Sequence, residues 1–204
     1  MTTSPNSRPR TRATASKKRL FAASMQLLGA RGPNAVSVDE IAQIAGVSKG
    51  TVYYNFGSKD KMIGQVLEFG ADMLVAELVE ASTLSEPRDA LRTMASIAID
   101  FVEKYPSFAQ IWISEQLRPE SDWGDQITPV YTRVTSTIIE VIDRIVVLAQ
   151  EEKQPVATAI FGAALFSARL RAASANPENR ETILNSVLFI VDGLIATHEP
   201  VTDH

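Results

Sequence analysis

Residues 37 to 56, SVDEIAQIAGVSKGTVYYNF, leave the backbone few choices. Ser37 and Glu40 have the spacing of a capping box, in which the serine hydroxyl accepts from the amide three residues on and the glutamate reaches back, so a helix starts here. Gly46 can take the positive φ that ends that helix, and Ser48 is placed to cap a second. Phe56-Gly57 stops the second helix within about two turns. Ser58 then caps a longer one, whose apolar positions Met62, Val66, Phe69, Met73 and Ala76 carry a stripe to about Ala81. Two short helices joined through Ala45-Gly46-Val47 have the layout of a helix-turn-helix.

Val38, Ile41, Ala42, Ala45, Val47 and Val52 supply the apolar seam of that unit, leaving Ser48, Lys49, Gly50, Thr51, Tyr53, Tyr54 and Asn55 to face outward. These residue types suit a nucleic-acid groove. Capped helix N-termini present unpaired amides to phosphate, Lys and Tyr hydrogen-bond phosphate oxygens, and a glycine lets the backbone approach base edges. Tyr53 has a second reading, as core packed against the preceding helix, and Lys59 alone reads as a solvated charge.

Charge distribution points the same way. The chain of 204 residues carries a net −4, which spread evenly would disfavour DNA, because such binding rests on neutralising phosphates. Residues up to 63 instead hold ten basic side chains against three acids, leaving −11 on the remainder. One end is suited to meet a polyanion and the other to do something else. Arg8, Arg10 and Arg12 lie in a Ser-, Thr- and Pro-rich segment without core-forming residues, expected to be a disordered basic arm over 1–13. That arm reads either as a solubilising tail or as a strand along the DNA backbone or minor groove.

The residues from 37 onward resemble the N-terminal pattern of the TetR family of bacterial regulators, Ser/Thr-Val-x-x-Ile-Ala-x-x-Ala-Gly-Val-Ser-x-Gly-x-x-Tyr-x-x-Phe-x-x-Lys. The chain matches at Ser37, Val38, Ile41, Ala42, Ala45, Gly46, Val47, Ser48, Gly50, Tyr53, Phe56 and Lys59. Asn55 stands where many members carry His, and Leu28 where many carry Phe. The resemblance, covering about residues 18 to 65, implies base-edge contacts from Lys49, Gly50 and Thr51, and phosphate contacts from Ser37, Ser48, Tyr53, Tyr54, Asn55 and Lys59. It also implies a homodimer on a double-stranded operator, most often a repressor, released by a small molecule that the sequence does not identify.

Elsewhere the punctuation is helical. Leu20, Phe21, Ala23, Leu27 and Leu28 share a face before Gly32-Pro33 ends the run. Pro87, Pro106, Pro129, Pro155 and Pro177 stand near helix starts, where a missing amide costs little. They predict helices over 88–104, 106–117, 129–152, 155–174 and 177–197, with 118–127 as a loop. The expected fold is all-α, about nine helices, divided into a helix-turn-helix domain over 14–60 and a ligand-binding and dimerisation domain over 61–204.

The last two helices are apolar over more than one face, so a second subunit is expected to cover them. The resemblance places a four-helix dimer interface there, expected at Ala159, Ala163, Phe166, Leu170, Val187, Ile190, Val191 and Leu194. Arg169 and Asp192 interrupt that surface, either as an ion pair or as ordinary exposed charges. Phe101, Tyr105, Phe108, Trp112 and Tyr131, with Trp123, cluster in the middle helices. They read either as core or as the lining of an apolar or aromatic effector pocket, with Glu115 and Gln116 as orienting groups.

Other classes fare worse. There is no cysteine and both histidines, His198 and His204, stand near the C-terminal end, so no metal site, no cofactor and no catalytic base are expected in the body of the chain. No Gly-rich phosphate loop is present, and no run reaches the roughly 18 apolar residues of a membrane span, so a cytoplasmic protein that is not an enzyme is expected. A helical adaptor binding proteins through the same dimer surface is the alternative; the charge split opposes it.

Overall fold

A computed structural model describes residues 8–31, 35–116 and 124–201. Among them the chain forms nine helices: α1 (Arg8–Arg31), α2 (Val38–Ala45), α3 (Lys49–Phe56), α4 (Lys59–Ser82), α5 (Pro87–Lys104), α6 (Pro106–Gln116), α7 (Gly124–Ile142), α8 (Gln150–Ala173) and α9 (Arg180–Thr197). The class is all-α, as expected. α1, α2 and α3 pack as a small unit, while α4 packs against α1 and α3 of that unit and against α5 and α7.

α1 begins at Arg8, inside the segment expected to be an arm. Pro9 falls in its first turn, where its fixed φ suits the helix and its missing amide has no partner to lose. The stripe on α4 is also rotated from the expected one. Ile63, Leu67, Ala71, Leu74 and Leu78 are buried with Met62 and Val66, whereas Phe69 and Met73 are half-buried and Ala76 is exposed.

The proline at 129 does not open its helix. α7 starts at Gly124 and holds Pro129 inside, just past the first turn, where its missing amide costs one i→i−4 hydrogen bond. It ends at Ile142, not near 152. The run Ile145-Val146-Val147 is β-branched and resists helix, and it takes extended backbone paired with the chain end instead. The Val147 amide donates to the Glu199 carbonyl at 2.9 Å and the Val201 amide to the Ile145 carbonyl at 3.0 Å. That pairing buries Val146 and Leu148. From the same segment, Arg144 donates to the carbonyls of Ser82 (2.8 Å), Leu84 (2.6 Å) and Ser85 (2.8 Å), tying down the C-terminal end of α4. α8 starts at Gln150 with Pro155 inside, and α9 starts at Arg180, capped by Asn179.

Aromatic side chains weld the two parts together. Phe21 of α1 meets Tyr105, Phe108 and Phe69 edge-on, with ring centroids 4.8, 6.1 and 6.2 Å away. Phe101 continues the chain to Tyr105 and Phe108, and Phe108 stacks on Trp112. Gly70 of α4 makes room for this: a β-carbon there would lie 2.3 Å from Phe21 Cε2 and 3.0 Å from Phe108 Cε2.

Replacing an ordinary helical glycine by alanine stabilises by roughly 1 kcal/mol. Gly70→Ala is expected to destabilise instead, by up to about 2 kcal/mol net, because overpacking costs roughly 1–3 kcal/mol against that gain. Urea unfolding at matched protein concentration checks this. Combining it with Phe21→Leu is expected to cost less than the sum of the two, since both act on one contact.

Candidate nucleic-acid interface

The helix-turn-helix is fixed at each end by the residues that announced it. Ser37 Oγ accepts from the Glu40 amide at 3.2 Å, and Glu40 Oε2 accepts from the Ser37 amide at 2.9 Å and its hydroxyl at 2.7 Å. Arg31 donates to the other Glu40 oxygen at 2.7 Å. These bonds favour the charged carboxylate, so the Glu40 pKa falls from its ordinary 4.5 to about 2, the Ser37 amide contributing most. The hydroxyl and the amide of Ser37 are therefore both committed to capping.

Gly46 adopts φ 65° and ψ 38°, the left-handed conformation that reverses the chain after α2. Its amide and that of Val47 return to the carbonyls of Gln43 (3.2 Å) and Ala42 (3.0 Å). Gly57, at φ 77°, ends α3 in the same conformation, and Ser58 Oγ accepts from the Lys61 amide to start α4. Between these turns Val38, Ile41, Ala42, Ala45, Val52 and Phe56 are buried, and Val47 is half-buried.

What the turns leave outside is α3. Ser48, Lys49 and Gly50 are exposed, Tyr54 is 91% exposed and Tyr53 44%. Tyr53 is thus not core. A β-carbon at Gly50 would meet nothing nearer than Ser48 Oγ at 4.0 Å, so packing within the chain does not call for glycine there. Lys59 sits half-buried at the start of α4. The side chains of Thr51 and Asn55 lie outside the described residues, as do Trp123 and the side chains of Glu115 and Gln116.

Asp39 is a feature that sequence reasoning missed. Lys49 Nζ lies 2.6 Å from its carboxylate and 5.8 Å from the centroid of the Tyr53 ring. The carboxylate holds the lysine above its ordinary pKa. An acid at the second position of one helix and a lysine opening the next, ten residues apart, was the available signal.

The middle-helix aromatics occupy a packed core. Phe101, Phe108 and Trp112 are buried, Tyr105 is half-buried against Phe21, and the Tyr131 hydroxyl is hydrogen-bonded to Thr158. The seam that Phe101, Phe108 and Trp112 share with Leu74, Ala98, Val134 and Phe161 encloses only about 20 Å³, little more than a water. Phe108 and Trp112 fill one another's space in that seam, whereas Phe101 and Tyr105 also border a larger cleft of about 410 Å³ between α1, α4 and α5.

The expected interface residues divide. Phe166 and Leu170 of α8 are 51% and 70% exposed, Ala159 is exposed, and Ala163, Ile190 and Leu194 are intermediate. Val187 and Val191 are instead 1% and 2% exposed, buried in their own subunit, because the face of α9 that they share packs against α5 and α8. Phe189, not anticipated, is 68% exposed on the opposite face. Asp192 does not meet Arg169. Its carboxylate accepts from Nε and Nη2 of Arg88, each at 2.9 Å, which lowers its pKa, while Arg169 donates to Gln110.

Residues 20–66 match the model of bacterial regulatory proteins of the tetR family. The chain is 26% identical over 185 residues to the HTH-type transcriptional activator FasR of Mycolicibacterium smegmatis, covering 90% of this chain and 84% of that one. It is 28% identical over 99 residues to the HTH-type transcriptional repressor NicS of Pseudomonas putida, spanning 48% of this chain and 47% of that one. In fold it is similar to the fatty acid degradation regulator FadR from Bacillus halodurans, with a TM-score of 0.71 and 14% identity over 85% of this chain and 97% of the other.

Because Glu40 titrates lower folded than unfolded, its contribution to stability is complete above about pH 4.5 and disappears as pH falls toward 2. Glu40→Gln is expected to lower the unfolding temperature at pH 7 and to flatten its pH dependence within that window. Thermal unfolding of both proteins across a pH series checks this.

Proposed function

The chain is a TetR-family DNA-binding transcriptional regulator, and from that premise we propose that it acts in the cytoplasm as a homodimeric repressor of an inverted-repeat operator, relieved by an apolar effector. The observation that carries the DNA half of the reading is α3: a short helix held rigidly at both ends, with a lysine, a glycine and two tyrosines outward and no protein packed over them. Lys49 and Gly50 face base edges, and Tyr53, Tyr54 and Lys59 face phosphates on either side.

One such helix reads too few bases to select a site, so two are needed at the spacing of one helical turn, roughly 34–36 Å. The surface that supports pairing runs over α8 and α9. α8 is apolar enough by length and composition to span a membrane, yet only 28% of its most apolar stretch is buried in the subunit. Phe166, Leu170 and Phe189 stand out from neighbouring helices there, and Gly162 and Gly193 have nothing over them. Small residues beside large exposed ones let two helix pairs approach closely and bury their apolar surface.

Repression needs only occupancy of the operator, whereas activation needs a further contact surface. For the effector, the support is the wholly apolar character of the seam among α4, α5, α7 and α8, together with the fatty acid role in the name of the FadR neighbour. An acyl or aromatic body would have to part these helices to enter. It would therefore bind an altered shape of the regulatory domain more tightly, which is the condition for coupling to DNA.

Gel shifts on the DNA upstream of its own gene test the reading. Lys49→Ala is expected to relax sequence preference, and Lys59→Ala to weaken all sequences alike and flatten the log–log salt slope by about 0.9. Equal binding by both variants and the parent overturns the assignment of α3.

Sedimentation tests the dimer. Phe166→Asp and Phe189→Asp are expected to give folded monomers that release the operator, and Val187→Asp to unfold the subunit. Folded dimers from both phenylalanine variants overturn the interface.

A further inference from the structure

We propose that the cleft between α1, α4 and α5 is a binding site for a small amphipathic organic anion, best fitted by a flat aromatic carboxylate. The cleft measures about 410 Å³, within the roughly 300–1,000 Å³ of small-molecule sites, whereas the apolar seam invoked above encloses about 20 Å³. Phe101 is the one ring that lines both spaces.

Its apolar floor is built by Phe21, Phe101 and Tyr105, with Phe21 edge-on to Tyr105 at 4.8 Å between centroids and Phe101 tilted against Tyr105 at 5.1 Å, and it is flanked by Met73 and Ile97. Edge-to-face rings present both hydrogen-rich edges and π faces, a surface that takes a planar ring well. Four charged groups stand around the floor: Lys18, Glu77, Asp100 and Lys104. Asp100 is already neutralised, accepting from Arg180 at 2.6 and 3.0 Å. Lys104 Nζ rests 5.3 Å from the centroid of Tyr105, at the edge of the floor. Lys18 and Glu77 have no ion-pair partner among the described residues.

Two lysines against one uncommitted carboxylate leave an excess of one positive charge beside an aromatic surface. A monoanionic head with a ring behind it matches both at once. The carboxylate lies between the ammonium groups of Lys18 and Lys104, the ring covers Phe101 and Tyr105, and Glu77 can accept from a hydroxyl or amine on the ligand. Lys18 and Phe21 belong to the helix-turn-helix unit and the remaining residues to α4, α5 and the turn after it. An occupant is therefore a strut between the two parts of the molecule. The site does not depend on the operator reading; only its bearing on DNA does.

Calorimetric titration of the full chain with 1-naphthoate, without DNA, tests the site. Saturable binding of one molecule per subunit is expected, with neutral 1-naphthamide roughly tenfold weaker or worse, the scale of one charged contact. Lys18→Gln and Lys104→Gln are each expected to weaken binding by about tenfold, while Lys17→Gln, an exposed neighbour outside the cleft, leaves it unchanged. Ile97→Trp, which fills the space, abolishes it. No saturable heat at millimolar naphthoate, or equal affinity in the parent and both cleft-lysine variants, overturns the proposal. A failed gel shift beside intact naphthoate binding would instead count against the operator reading alone.

Discussion

Phe21 reaches from α1 into the notch that Gly70 leaves in α4, and the placing of the helix-turn-helix on the rest of the molecule depends on that contact. α2 and α3 are each eight residues long, too short to persist alone. They are held by their caps and by the seam they share with α1. α1 in turn is held by an aromatic side chain that touches α4 and the start of α6 together. The orientation of α3 is thus set by ring packing, which is directional and intolerant of added volume, not by a loop.

The elements legible in the sequence were those written in local chemistry. Ser37, Glu40, Gly46, Gly57 and Ser58 specify turns through their own hydrogen bonds and dihedral angles, and the helix boundaries they imply are those observed. Proline was a poorer guide. Pro129 and Pro155 lie inside α7 and α8, because a first-turn position and an early interior position look alike when the preceding residues carry no cap. The pairing of Val146 with Pro200 joins segments far apart in sequence and has no local signature. The same limit explains the aromatic cluster and α9: spacing shows that Phe101, Phe108, Val187 and Val191 share a face, and only the partner helices decide whether that face is filled, empty or shared with another chain.

The electrostatics of the reading helix set its bound and unbound states against each other. The Lys49–Asp39 pair is exposed on both sides, so it contributes little, roughly 0–1 kcal/mol. A charged hydrogen bond contributes about 1.5–3 kcal/mol, so in the proposed role of Lys49 the exchange of Asp39 for DNA is downhill. In free protein the carboxylate keeps the lysine from weak anions, which favours a partner that presents phosphate and base edges together. Further away, Arg88, Arg92 and Arg180 join α5 to α9, and Arg171 joins α8 to Glu103. These pairs bind the last helices to the body of the subunit and leave Phe166, Leu170 and Phe189 on the outer side.

Arg144 anchors the C-terminal end of α4. With 24 residues at 1.5 Å each, α4 is about 36 Å long. Its last carbonyl, that of Ser82, is held by Arg144 beside the segment that pairs with residues 199–201. A tilt of about 5° around that pin carries Lys59 sideways by about 3 Å over such a length, close to the rise of a base pair. In the proposed response to an effector the guanidinium is the fulcrum, and a rearrangement of a fraction of an ångström among the middle helices gains several times that leverage where α3 would meet a groove.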